Sequence, residues 1–128
     1  MSGILRDKDR VLLGLRGDTQ QFSGFWSLPI GHVESGESDL KAIKRELGEE
    51  LGIKNIAAIP FVVKIDQAES IYHQAFIVDD FDGKIINLEP YLCKALEWFE
   101  LNNLPDNTTA ITKEILSELK SDLRPNHL

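Results

Sequence analysis

The 128-residue sequence predicts an α/β fold built in layers. Two observations carry that expectation. Several segments rich in Ile, Val, Leu, Phe and Tyr lie between turn-forming residues, as strands do. Two other, well-separated stretches space their apolar residues at helical intervals. The length suits one domain spanning 1–128, large enough for a single core.

Taken in order, residues 1–6 and 10–16 read as strands about an Asp7-Lys8-Asp9 turn. Residues 17–25 have the composition of a loop, and a short extended piece follows at about 27–33. A helix is expected over 38–51, with Ser38 and Asp39 as start signals and Gly52 as the stop. Leu40, Ile43, Leu47 and Leu51 form its apolar stripe. Residues 55–66 and 70–79 read as a pair of strands, 80–84 as a turn and 94–100 as a further strand. A terminal helix is expected over 107–121, with Ala110, Ile111, Ile115, Leu116 and Leu119 on its apolar face. No repeat, low-complexity segment or linker interrupts the chain.

Composition narrows the function classes. Acidic residues outnumber basic ones by 21 to 14, for a net charge of −7, which disfavours a nucleic-acid polymer as partner. A small phosphorylated substrate is still compatible, because divalent ions bridge two sets of anions. No run approaches the length of a membrane span, and MSGILRDKDR is too short and too charged for a signal peptide. The lone Cys93 excludes an intramolecular disulfide, suits a reducing cytoplasm and reads as a packed residue rather than a nucleophile. There is no Walker-type phosphate loop and no zinc-ligand spacing.

The first helix carries the chemical signal. Glu46, Glu49 and Glu50 project within an arc of roughly 100°, since each residue advances about 100°. Glu46 and Glu50 form a like-charged i,i+4 pair, which costs a few tenths of a kcal/mol. A hard cation among the oxygens would relieve that repulsion. A merely solvated charged helix would place Lys or Arg four residues after Glu; here the one opposite pair, Arg45–Glu49, runs in the less favourable order. Spacing alone leaves both readings open.

Gly31, then Glu37 after five residues, then after seven more Arg45-Glu46-Leu47-Gly48-Glu49-Glu50-Leu51-Gly52-Ile53, resembles the Nudix box at every fixed position. The lead-in from Trp26 to Glu34 is also similar to the family's, except that Ile30 stands where many members carry Gly. The resemblance implies an α/β/α sandwich with a mixed central sheet and a Mg²⁺-dependent hydrolase, with Mn²⁺ as an alternative ion. It implies Glu49, Glu50 and the Gly31 carbonyl as metal ligands. Glu46 would complete the metal site or act as general base, and Arg45 and Glu37 would hold loop and helix in register. A small nucleotide is the implied partner, with neither a nucleic-acid polymer nor a membrane. The first strand of the family begins several residues ahead of the segment matching Ser2-Gly3-Ile4-Leu5, so either that strand is short here or the true start lies upstream.

Residues 87–107 resemble the MutT-like branch, which cleaves ordinary or oxidised nucleoside triphosphates to monophosphate and pyrophosphate. On that resemblance Glu89 is an additional metal-binding or base-function carboxylate; its plainer reading is a solvated turn residue before Pro90. Asn107 either reads the base or caps the terminal helix. Arg16 either contacts phosphate or base, or is an exposed strand-end residue. Phe22, Phe25 and Trp26 are candidates for a stacking platform, whereas Trp98 and Phe99 suit the core. His32, His73 and His127 show no ligand spacing, and His127 sits in a tail expected to fray. The rival readings are an ADP-ribose or nucleotide-sugar diphosphatase and a non-catalytic nucleotide sensor.

Overall fold

In the computed structural model, which describes residues 1–18, 21–67 and 69–122, neighbouring apolar residues on the strands point to opposite faces. Ile4, Val11, Leu13 and Ala75 join one buried cluster, while Leu5, Leu12 and Phe76 join another. Each cluster is closed by one helix. The elements are β1 (Ser2–Ile4), β2 (Arg6–Asp7), β3 (Arg10–Arg16), β4 (Trp26–Ser27), α1 (Asp39–Leu51), β5 (Lys54–Asp66), β6 (Ile71–Asp82), β7 (Cys93–Glu100) and α2 (Ala110–Asp122). Ile43, Leu47 and Leu51 of α1 cover one face, and Ile111, Ile115, Leu116 and Leu119 of α2 cover the other. The outcome is the expected α/β/α sandwich.

The strands form two hydrogen-bonded groups, β1-β6-β5 and β2-β3-β4 with β7 on β3. Among the described strand pairs, β1 and β6 run parallel and the others antiparallel, so the arrangement is mixed. The groups meet where Gly3 N donates to Pro29 O at 3.0 Å and Ser2 bridges Ile30. That junction sets Gly31 against the α1 side of the molecule.

Helix α1 begins as its sequence demands: the Ser38 hydroxyl accepts from Lys41 N at 3.2 Å. It ends at Gly52, whose φ of 73° is the left-handed conformation that glycine tolerates best. Leu40 departs from expectation. It is exposed, and Ala42 occupies the buried position beside Ile43, because the contact face is rotated toward the smaller side chain.

Two other boundaries differ from the sequence reading. The expected turn at 80–84 is still strand as far as Asp82, because Asp80 and Asp82 pair with Ala57 and Lys54 across bulges and the Asn55 amide bonds Asp82 Oδ2 at 2.7 Å. Helix α2 starts at Ala110 rather than 107. Residues 107–109 instead run beside β4: Trp26 N donates to Asn107 O, and Thr109 N donates to Trp26 O. Asn107 is therefore not the helix cap.

Candidate active site

The C-terminal half of α1 is electrostatically uncomfortable as built. Glu46, Glu49 and Glu50 lie toward the negative end of the helix dipole, and its last turn carries no basic side chain. Arg45 answers part of that charge. Its Nε and Nη2 fork onto Glu37 Oε2 and Oε1 at 2.7 and 2.9 Å, while Nη1 reaches Glu46 Oε1 at 2.9 Å and Glu49 Oε1 at 3.2 Å. Nη2 also donates to His32 O at 3.0 Å, which ties the loop before α1 to the helix. Hydrogen bonding to Arg45 holds the Glu37 carboxyl down at about 2, with the Glu34 N–H as a further donor. Glu34, which the sequence did not single out, lies 3.6 Å from Arg45 Nη1.

Glu50 is different. Its Oε2 is buried with no hydrogen-bond partner. Burial, reinforced by Glu46, Glu89 and Glu49, pushes its carboxyl up to about 8. Glu89, half-buried, is raised too, by burial and by Glu46 and Glu49. The Glu89 loop is held against α1 by backbone bonds: Ile86 N donates to Leu51 O and Leu88 N to Glu50 O. These satisfy carbonyls that every helix end leaves open. Asn87 shapes the same loop, donating to Cys93 O at 2.7 Å and accepting from Glu89 N at 3.2 Å. Sequence reasoning gave Asn87 no role of its own, although an Asn two residues before a loop carboxylate is a recognisable turn former.

Gly31 is fixed by space. A Cβ there would lie 2.2 Å from Glu46 Cγ, so only glycine lets the Glu46 side chain pass. The Gly31 carbonyl accepts from the Met1 nitrogen at 3.1 Å. Gly31, Glu34, Arg45, Glu46, Glu49, Glu50 and Glu89 all line one open cavity of about 390 Å³, together with Arg16 from the end of β3.

Among the described residues, no three of His, Cys, Asp and Glu close around a point as a finished ion cage. Glu46 and Glu49 spend oxygens on Arg45. The donor set nonetheless suits a hard divalent ion: all candidate ligand atoms are oxygens, and the buried Glu50 Oε2 has no hydrogen-bond partner.

The other expected substrate contacts divide. Arg16 lines the cavity and donates through Nε to Gln21 O. Trp26 packs edge-on against Phe99 at 4.8 Å and so belongs to the core margin. Phe25 is exposed and meets Phe22 edge-on at 6.2 Å, outside the cavity. Asn107 also lies outside it, its amide donating to Gly24 O at 2.8 Å, so it braces the loop before β4. Burial pushes the Cys93 thiol up, as befits a packed residue. Buried His73 shares a 3.0 Å hydrogen bond with Ser2 Oγ, His32 is exposed, and His127 lies outside the described residues.

A family model described as the NUDIX domain matches residues 1–119. The chain is 33% identical over 102 residues to the CTP pyrophosphohydrolase of Escherichia coli, covering 77% of this chain and 72% of that protein. It is 31% identical over 109 residues to the ADP-ribose pyrophosphatase of Methanocaldococcus jannaschii, covering 82% of this chain but only 63% of the archaeal protein. A crystal structure of a MutT NUDIX hydrolase from Burkholderia pseudomallei superposes with a TM-score of 0.80 at 32% identity, covering 92% of this chain and 94% of that one. This chain is a member of the Nudix hydrolase family, of the MutT-like kind.

Proposed function

We propose that this hydrolase cleaves a nucleoside triphosphate to the monophosphate and pyrophosphate, using the cavity between α1 and the Glu89 loop. The observation that carries the reading is the buried, unpartnered Glu50 Oε2 amid Glu46, Glu49 and Glu89. Glu49, Glu50 and the Gly31 carbonyl would hold Mg²⁺ or Mn²⁺, with Glu89 reaching in from its loop. A divalent ion there supplies neutralisation of phosphate charge and an acidified bound water.

The chain's own groups do the rest. Arg45 fixes Glu46 and Glu49 in orientation through its bonds to both and to Glu37. Glu46 accepts the proton of the attacking water as general base. The water oxygen bonds to phosphorus, the P–O bond to the leaving pyrophosphate breaks, and the proton rests on the carboxylate. Arg16, which lines the same cavity, would face the phosphate chain or sugar of the nucleotide.

The CTP pyrophosphohydrolase relative and the MutT structure each match over most of their own length, which supports a triphosphate substrate. The ADP-ribose relative matches over a smaller share of its own length and supports the alternative, an X-linked diphosphate, less well. A substrate panel in Mg²⁺ decides. Pyrophosphate release from triphosphates is expected; turnover confined to ADP-ribose or nucleotide sugars would overturn this reading in favour of the alternative.

A further inference from the structure

Among the described residues lining the open cavity, Glu89 is the carboxylate that comes from neither α1 nor the loop before it. A helix aims its side chains by its own geometry, whereas a loop has no such ladder. Electrostatics works against Glu89 as well. It is opposed by Glu46 and Glu49 and in turn acts on Glu50, so an unrestrained side chain would turn out to water.

The loop backbone is pinned at every point around Glu89. Leu92 N and Cys93 N both donate to Glu89 O at 2.9 Å, and Gly17 N donates to Leu92 O at 2.8 Å, which ties the loop to the end of β3. That approach needs glycine, because a Cβ at position 17 would lie 2.9 Å from Leu92 O. Pro90 keeps the Glu89 backbone out of the helical region. The Glu89 N–H is left, and Asn87 Oδ1 accepts from it at 3.2 Å. The same amide donates through Nδ2 to Cys93 O at 2.7 Å, where β7 begins. One half-buried side chain therefore closes the loop from both ends, as acceptor for one backbone group and donor to another. An ionised Asp could make only the first of those bonds, and Ala neither.

We infer that Asn87 is a positioning residue of the reaction, holding the Glu89 backbone so that its carboxylate stays turned into the cavity beside Glu50 and completes the oxygen set offered to the divalent ion. The inference rests on the ion-dependent reading above and adds to it the residue that keeps the loop ligand in place. Asn87 acts through Glu89 and not on the substrate.

The test is a double-mutant cycle read by Mn²⁺ binding, without turnover. Mn²⁺ is titrated into the full chain and into Asn87→Ala, Asn87→Ser, Glu89→Gln and Asn87→Ala/Glu89→Gln, each first shown by circular dichroism to be folded. Asn87→Ala is expected to weaken Mn²⁺ binding about tenfold. Asn87→Ser, whose hydroxyl makes a weaker turn of the same kind, should restore part of the loss. With Glu89 already replaced, Asn87→Ala should add less than about twofold. If the Ala variant fails to fold, Asn87→Ser carries the same comparison in both backgrounds. Parent-like affinity in the Asn87 variants, an equal loss with and without the Glu89 carboxylate, or parent-like affinity in Glu89→Gln overturns the inference. Any of these in a chain that still releases pyrophosphate from triphosphates leaves the reaction assignment standing. The coupled loss in a chain that releases none would sink that assignment and leave the role of Asn87 intact.

Discussion

At the scale of single residues, Gly31 shows how a short motif is enforced by packing. The Glu46 side chain occupies the space where any Cβ at position 31 would go. Gly31→Ala is expected to cost about 1–3 kcal/mol of stability through overpacking and to reduce turnover by displacing Glu46. Equilibrium unfolding and steady-state rates read the two effects; a variant unchanged in both would refute the close approach. The carboxylates and Arg45 were legible in sequence because their spacing on a helix fixes their direction. Asn107 was not. Its identity suits a cap and a base contact equally, but the backbone pairing of 107–109 with β4 moves the helix start to Ala110 and turns the amide to Gly24 O. No local pattern announces a nonlocal pairing of that kind.

At the scale of elements, α1 and α2 were legible from periodicity, and so were the strands, because alternating burial leaves a trace in composition. The exceptions have common causes. β6 continues through a turn-like stretch because its partner strand supplies hydrogen bonds, and tertiary pairing overrides local propensity. The Glu89 loop docks through backbone N–H groups on the last carbonyls of α1, and backbone donors have no sequence signature. The β1–β6 contact contains a pH-sensitive point. Burial, with a smaller contribution from the Met1 ammonium, lowers the buried His73 to about 4. The unfolded chain, with His near its ordinary 6.5, then binds more protons than the folded one between those values. Stability therefore falls as pH drops through that window, by about 2 kcal/mol between pH 7 and 4.5. His73→Gln, which still hydrogen-bonds Ser2, should make the decline shallower by that amount in urea melts at the two pH values. Equal declines in both proteins would contradict the assignment.

At the scale of the whole molecule, two cavities share Arg16 in their linings, and the larger is rich in carboxylates from α1. The acidic wall of the larger was foreseeable because Gly31, Arg45, Glu46, Glu49 and Glu50 are clustered between 31 and 50. The smaller draws on positions 16, 22, 30, 66, 67, 69, 109–111 and 114, which only the sandwich brings together. A net charge of −7 makes this an unusual host for a triphosphate unless cations accompany it. Everything proposed about the reaction therefore depends on whether the acidic edge of α1 holds a divalent ion. Titration of Mn²⁺ followed by electron paramagnetic resonance reads this directly, comparing the parent chain with Glu49→Gln after circular dichroism has established that both are folded. The account predicts saturable Mn²⁺ binding by the parent chain and at least about tenfold weaker binding by the variant. Equal Mn²⁺ affinity in the two proteins, or no binding by the parent chain, would contradict it.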